Sequence, residues 1–168
     1  MIFMSQSGIT DPAGEPAWRE WYVEHLRVMC TVEGIDSAQR FRTQTPDWPP
    51  SLAMYTIRAP EVFVDPYYQK IRGMGPWLQL IDKRYYKRNL FDGDTDGAAI
   101  VAPHLRHAEV LLVTDQPSPG LVDSALSFMW LRSVGLDRTT PYRGICVVSQ
   151  LQAQGLSHRA DIAIYRPD

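Results

Sequence analysis

The sequence predicts an α+β fold of the ferredoxin-like type, and three observations predict it. A stripe of apolar positions at helical spacing lies between two segments with strand-like alternation. Two further strand-like segments follow, separated by a stretch broken by proline and glycine, so the first half reads β-α-β-β-α-β. From about residue 98 the pattern begins again and stops early, as a second, truncated repeat would.

Ile2 to Ser7 reads as the first strand, ended by the turn residues Gly8, Thr10, Asp11 and Pro12. A helix opened by Pro16 then places Trp18, Trp21, Tyr22, His25, Val28 and Met29 on one face. Gly34 closes that segment. In the strand over about 35–44, Ile35, Ser37, Gln39, Phe41 and Thr43 are expected on one face, with Asp36, Ala38, Arg40, Arg42 and Gln44 on the other. SLAMYTIRA (51–59) is the third strand. Pro60, Pro66, Gly73, Gly75 and Pro76 break the next stretch into short helical pieces, and KRYYKRNLFD (83–92) reads as the fourth strand.

In the second half AEVLLVTD (108–115) reads as a strand and Gly120–Val134 as a helix. GLDRTTPYRG mirrors GIDSAQRFRT, with Gly34 and Gly135 as matching punctuation at an offset of 135 − 34 = 101. ICVVSQL and RADIAIYRPD supply the last strands. The expected organisation is residues 1–97 as a full repeat bearing the site and residues 98–168 as a truncated β-α-β-β repeat sharing its core.

The 168 residues suffice for one domain or two small ones with a common core. An apolar fraction of 45% is that of an ordinary globular chain, and a formal net charge of −2 gives no bulk reason for a nucleic-acid or anionic-membrane partner. No apolar run approaches the length of a membrane helix, and the opening MIFMSQSGITDP is too short and polar for a signal peptide. A soluble, cytoplasmic protein is expected, with Cys30 and Cys146 as buried free thiols.

The run FMSQSGITDPAGEPAWREWYVEHLRVMCTVEGIDSAQRFR, followed by SLAMYTIRAPEV, resembles the dimeric α/β-barrel superfamily, above all its EthD-like branch and uncharacterised relatives. The matching positions are Trp21, Tyr22 and His25 in a W-Y-x-x-H pattern, then Gly34, Arg40, Phe41, Ala53 and Tyr55. Glu33 replaces the usual proline before the glycine, and Met54 the usual leucine before the tyrosine. The likeness covers about the first 90 residues. It implies two four-stranded sheets forming a barrel, across a homodimer or within one chain as an internal pseudo-dimer.

That resemblance also implies an enzyme without metal or organic cofactor. The expected reaction is of lyase or isomerase type (dehydratase, decarboxylase or cyclase) on a small aromatic or polyketide-like acid or ketone. The alternatives are a cofactor-free monooxygenase and a non-catalytic binding or accessory protein of a catabolic pathway. His25 would move a proton, Tyr22 and Tyr55 would hydrogen-bond the reacting oxygen, and Arg40 would hold an anionic group. Trp21 and Tyr86 would line the substrate site. At the repeat offset His25 maps to Leu126 and Tyr22 to Asp123, so one site per chain is expected.

Other patterns carry less. KRYYKRNLF interleaves basic and aromatic residues as RNA-stacking sheets do, but lacks their glycines. DGDTDG (92–97) opens like a calcium loop, yet Pro103 stands where the twelfth-position glutamate belongs. His104 and His107 have H-x-x-H spacing without further ligands.

Overall fold

Eight strands hydrogen-bond in a ring, giving one closed antiparallel barrel in the computed structural model, which describes residues 1–93, 99–120, 122–123 and 125–168. The strands are β1 (Ile2–Ser7), β2 (Ile35–Arg42), β3 (Ser51–Ile57), β4 (Lys87–Gly93), β5 (Glu109–Gln116), β6 (Met129–Leu136), β7 (Tyr142–Ser149) and β8 (Ala163–Pro167). Round the barrel they run β1-β3-β2-β8-β5-β7-β6-β4. Helix α1 (Glu15–Met29) lies outside; α2 (Pro66–Ile71) and α3 (Gln150–Gln154) are short.

This closure overturns the expected ferredoxin-like plait and the dimeric-type α/β barrel built from it. A plait is an open sheet with helices across one face. Here β2 pairs onward with β8, and β4 onward with β6, so the strands of both halves belong to one ring. Nor is there enough helix. Gly120–Val134 contains no helix among its described residues, and Met129–Leu136 is strand β6. The reason is local: Leu131 enters the barrel core while Phe128 and Trp130 pack together on the outside, a period of 2 that the dense apolar run had disguised.

The strand spacing does not repeat at 101. First strands are separated by 109 − 2 = 107, second strands by 129 − 35 = 94, and fourth strands by 163 − 87 = 76. Gly135 lies inside β6, opposite Leu90, instead of before a strand. The fourth strand is also shorter than expected: Lys83–Tyr85 form a turn, and pairing starts at Lys87.

Alternation sorts the side chains of β1, β3 and β4 between two cores. Ile2, Met4, Leu52, Met54 and Phe91 point into the barrel. Phe3, Ala53, Tyr55, Ile57 and Leu90 point outward, beneath α1. In β2 the ladder to β3 skips Asp36 at a bulge, so Ile35 joins the outer core and Phe41 the inner one. These two residues do not share a face.

Both ends of the barrel are covered. At the Ile2 end the segment before β5 is held by Gln39, whose amide donates to Leu105 O at 2.9 Å and accepts from Leu105 N at 2.8 Å. Ala102 N donates to Thr56 Oγ1 at 3.0 Å. At the Ser7 end Tyr165 donates to Pro49 O at 2.7 Å, and Trp48 packs on the inner core. Among the described residues no helix is long and apolar enough to cross a membrane. Cys30 is exposed at the end of α1 and Cys146 is half-buried; both are free thiols, not the buried pair expected.

Candidate functional site

The outward faces of three adjacent strands make the floor of a cleft roofed by α1. Cross-strand neighbours set its layout: Phe3 of β1 lies between Tyr55 of β3 and Leu90 of β4, and Ser5 lies opposite Arg88. The Phe3 ring stacks on Tyr55 with centroids 5.1 Å apart, and Arg88 Cζ stands 5.3 Å from the same ring. From the helix, Tyr22, His25 and Met29 face this floor. Arg72, Gly73 and Met74 close the outer side, with Tyr68 and Tyr86.

The apolar stripe of α1 explains the roof. Trp18, Tyr22 and Met29 are buried, whereas Trp21 and His25 are half-buried at the edge of the stripe. Trp21 stacks on the His25 imidazole at 4.7 Å and 11°, and Tyr22 meets it edge-on at 5.8 Å. His25 makes no hydrogen bond among the described residues. Burial lowers its pKa to about 4, so the imidazole is neutral at pH 7.

The tyrosines are held protonated. Burial raises the Tyr22 pKa, partly offset by Arg40 and by the Ser5 and Ser7 hydroxyls near its phenol. Burial raises that of Tyr55 well above the ordinary 10, against the opposing pull of Arg88. Tyr55 is 2% exposed, borders the cleft, and has no hydrogen-bond partner among the described residues. Tyr68 does have one: Arg88 Nη2 donates to its hydroxyl at 2.6 Å. No Asp or Glu is among the described lining residues.

Four of the six expected site residues therefore converge: Tyr22, His25, Tyr55 and Tyr86 all line the cleft. Trp21 supports His25 from behind. Arg40 is elsewhere. Its guanidinium is wedged between the Trp18 and Tyr22 rings, at 4.4 and 4.6 Å. It donates to Asp168 Oδ2 at 2.7 Å and Ser51 Oγ at 2.9 Å, and its remaining Nη2, buried without a hydrogen bond, faces Glu15 at 3.5 Å; Arg40 is not among the residues lining the cleft. Sequence reading missed Ser5, Tyr68, Arg72, Met74 and Arg88. The signal for Arg88 was its place two residues before Leu90 on one face of a strand, but Phe91 made the other face look equally buried.

The cleft as folded holds only about 30 Å³ of water-accessible space. That is room for a water or two, not for an aromatic ring. The Arg72–Gly75 segment closes it, with Met74 buried against the outer core.

The remaining candidates do not assemble. Of the acidic DGDTDG stretch, Asp94 and Asp96 lie outside the described residues, and Asp92 accepts from Gly93 N at 2.9 Å. His104 and His107 are exposed, and no group of three or more His, Cys, Asp or Glu suited to a metal occurs among the described residues. No family model and no curated protein matches the chain.

Proposed function

We propose that the protein is an acid–base enzyme for small organic molecules, with the helix–sheet cleft as its reaction centre. One observation carries the reading: a neutral imidazole and an unpartnered, protonated tyrosine hydroxyl face the same water-poor space. Such a pair suits proton abstraction next to a carbonyl. His25 takes the C–H proton, the electron pair moves onto the carbonyl oxygen, and Tyr55 donates a hydrogen bond to the forming enolate. The developing negative charge favours the imidazolium at that moment, which counters the low pKa of the empty site. Return of the proton at a second carbon gives isomerisation; if the enolate electrons instead form the α,β double bond and the His25 imidazolium protonates a departing β-hydroxyl, water leaves and the result is dehydration. Tyr22 is the second donor. The anion-holding role expected of Arg40 is not part of this proposal.

The experiment is deuterium exchange at the α-carbon of small ketones and β-keto acids in D2O, followed by NMR. The wild type is expected to accelerate exchange for at least one of them, and His25→Ala to lose about a hundredfold or more of it. Equal exchange by both proteins sinks the reading. A second reading, a non-catalytic binding protein, is favoured by one observation: among the described residues no group hydrogen-bonds to His25, which only Trp21 and Tyr22 hold by ring contacts. Saturable binding without any exchange is its signature.

A further inference from the structure

The arginines of this barrel differ in what they face. The two fully buried ones, Arg40 and Arg143, each meet an aspartate: Asp168 at 2.7 Å and Asp115 at 2.7 Å. Arg88, half-buried in the cleft wall, has no carboxylate within ion-pair distance among the described residues. Among the described residues its one hydrogen-bond partner is the neutral Tyr68 hydroxyl, and its guanidinium lies 5.3 Å from Phe3 and 5.8 Å from Phe63. A guanidinium between ring faces, hydrogen-bonded to a single phenol, keeps further N–H donors unspent. On the opposite side of Phe3, Tyr55 lines the same cleft, and its hydroxyl is a second donor without a protein partner among the described residues.

We infer that Arg88 and the Tyr55 hydroxyl form an oxyanion-binding subsite in the floor of the cleft, and that the ligand is a small carboxylate or enolate. The inference rests on the cleft being the small-molecule site, and it names the class of molecule. Arg88 supplies charge and a planar pair of donors, Tyr55 adds a single donor from the other side of Phe3, and Tyr68 positions the guanidinium. The lack of acidic residues among the described lining leaves the positive charge uncancelled, so a neutral isostere loses the main attraction. In the folded conformation the space suits formate-sized anions; a larger acid needs Met74 displaced.

The test is an NMR titration of the folded full chain with formate, acetate and benzoate, and with the neutral counterparts formamide and benzamide. The Arg88 Nε–Hε resonance is the readout. At least one carboxylate is expected to shift it saturably, with its amide about tenfold weaker or more. Arg88→Met should weaken that carboxylate about tenfold or more, Arg88→Lys less, and Tyr55→Phe severalfold. Should Arg88→Met fail to fold, Arg88→Lys and Tyr55→Phe decide. No saturable shift by any carboxylate up to roughly 50 mM, or equal binding of acid and amide, overturns the subsite. Amides that titrate His25 and Trp21 while leaving Arg88 unmoved also overturn it, yet they leave the small-molecule cleft standing. Conversely, Arg88-dependent carboxylate binding without α-carbon exchange keeps the subsite and sinks the acid–base reading.

Discussion

His25 carries a cost that pH reveals. Its pKa falls from 6.5 to about 4 on folding because the ring is taken out of water between Trp21 and Tyr22. Between those two values the unfolded chain binds the proton and the folded one does not, so stability rises with pH across that window. Above pH 6.5 nothing is lost; on acidification the loss grows until about pH 4. The full shift sets an upper bound of roughly 3 kcal/mol, which partial exposure of the ring reduces. His25→Phe, which keeps a ring against Trp21, should remove this slope. Thermal unfolding at pH 7 and pH 4.5 measures it: the wild type is expected to lose more Tm than the variant, and equal losses would show that the ring is already well solvated. The same residue shows how far the sequence could be read. Helical spacing put Tyr22 and His25 on one face, and strand alternation put Tyr55 on the facing sheet. Arg40 shared that face, but its partner Asp168 lies 128 residues away, and no local pattern announces such a pair.

At the scale of elements, the cleft depends on a short segment with unusual backbone. Gly73 and Gly75 both have positive φ, 102° and 47°, and Met74 between them plugs the opening. A Cβ on Gly75 would stand 3.2 Å from Trp21, the ring that supports His25. Gly75→Ala therefore disfavours the closed segment twice, by a left-handed backbone and by pressure on the indole, at about 1–2 kcal/mol. Because about 1.4 kcal/mol is a tenfold change in population, open forms should rise about tenfold. Stopped-flow binding of benzoate is expected to show a faster on-rate in Gly75→Ala with only a small fall in Tm. An unchanged rate would mean that entry does not pass this segment. The sequence marked the glycines as breakers but not what they cover, since the residues they bring together come from α1, β1, β3 and β4. The misread elements share one cause. Where both faces of a strand are apolar, as at Phe128–Leu131 and Leu90–Phe91, periodicity loses its power to separate strand from helix or inside from outside.

The whole molecule closes along seams of very unequal strength. β5 and β7 pair over eight residues, Glu109 to Gln116, whereas β2 and β8 pair only at Phe41–Pro167 and Arg42–Arg166. Side chains reinforce the weak seam. Thr43 Oγ1 donates to Ile164 O at 2.7 Å, and Ile164 N donates to Thr45 Oγ1 at 3.2 Å. Asp168 draws Arg19 at 2.7 Å and Arg40 at 2.7 Å onto the same edge. The element order of the first half was readable from the chain, that of the second was not, since β6 stands where a helix was expected, and neither was this ring: a strand's partner across a seam is set by long-range register, which leaves no local mark. Removing one member of a buried ion pair strands the other, at a cost of roughly 3 kcal/mol. Asp168→Asn leaves the Arg40 charge buried with Glu15 as its remaining acid at 3.5 Å. The barrel should then open first where its ladder is shortest. Amide hydrogen exchange checks this: in the variant Phe41 and Arg42 are expected to lose protection about a hundredfold while remaining far below Leu111 and Leu112. Uniform loss across β2 and β5 would instead mean that the barrel opens only as a single cooperative unit.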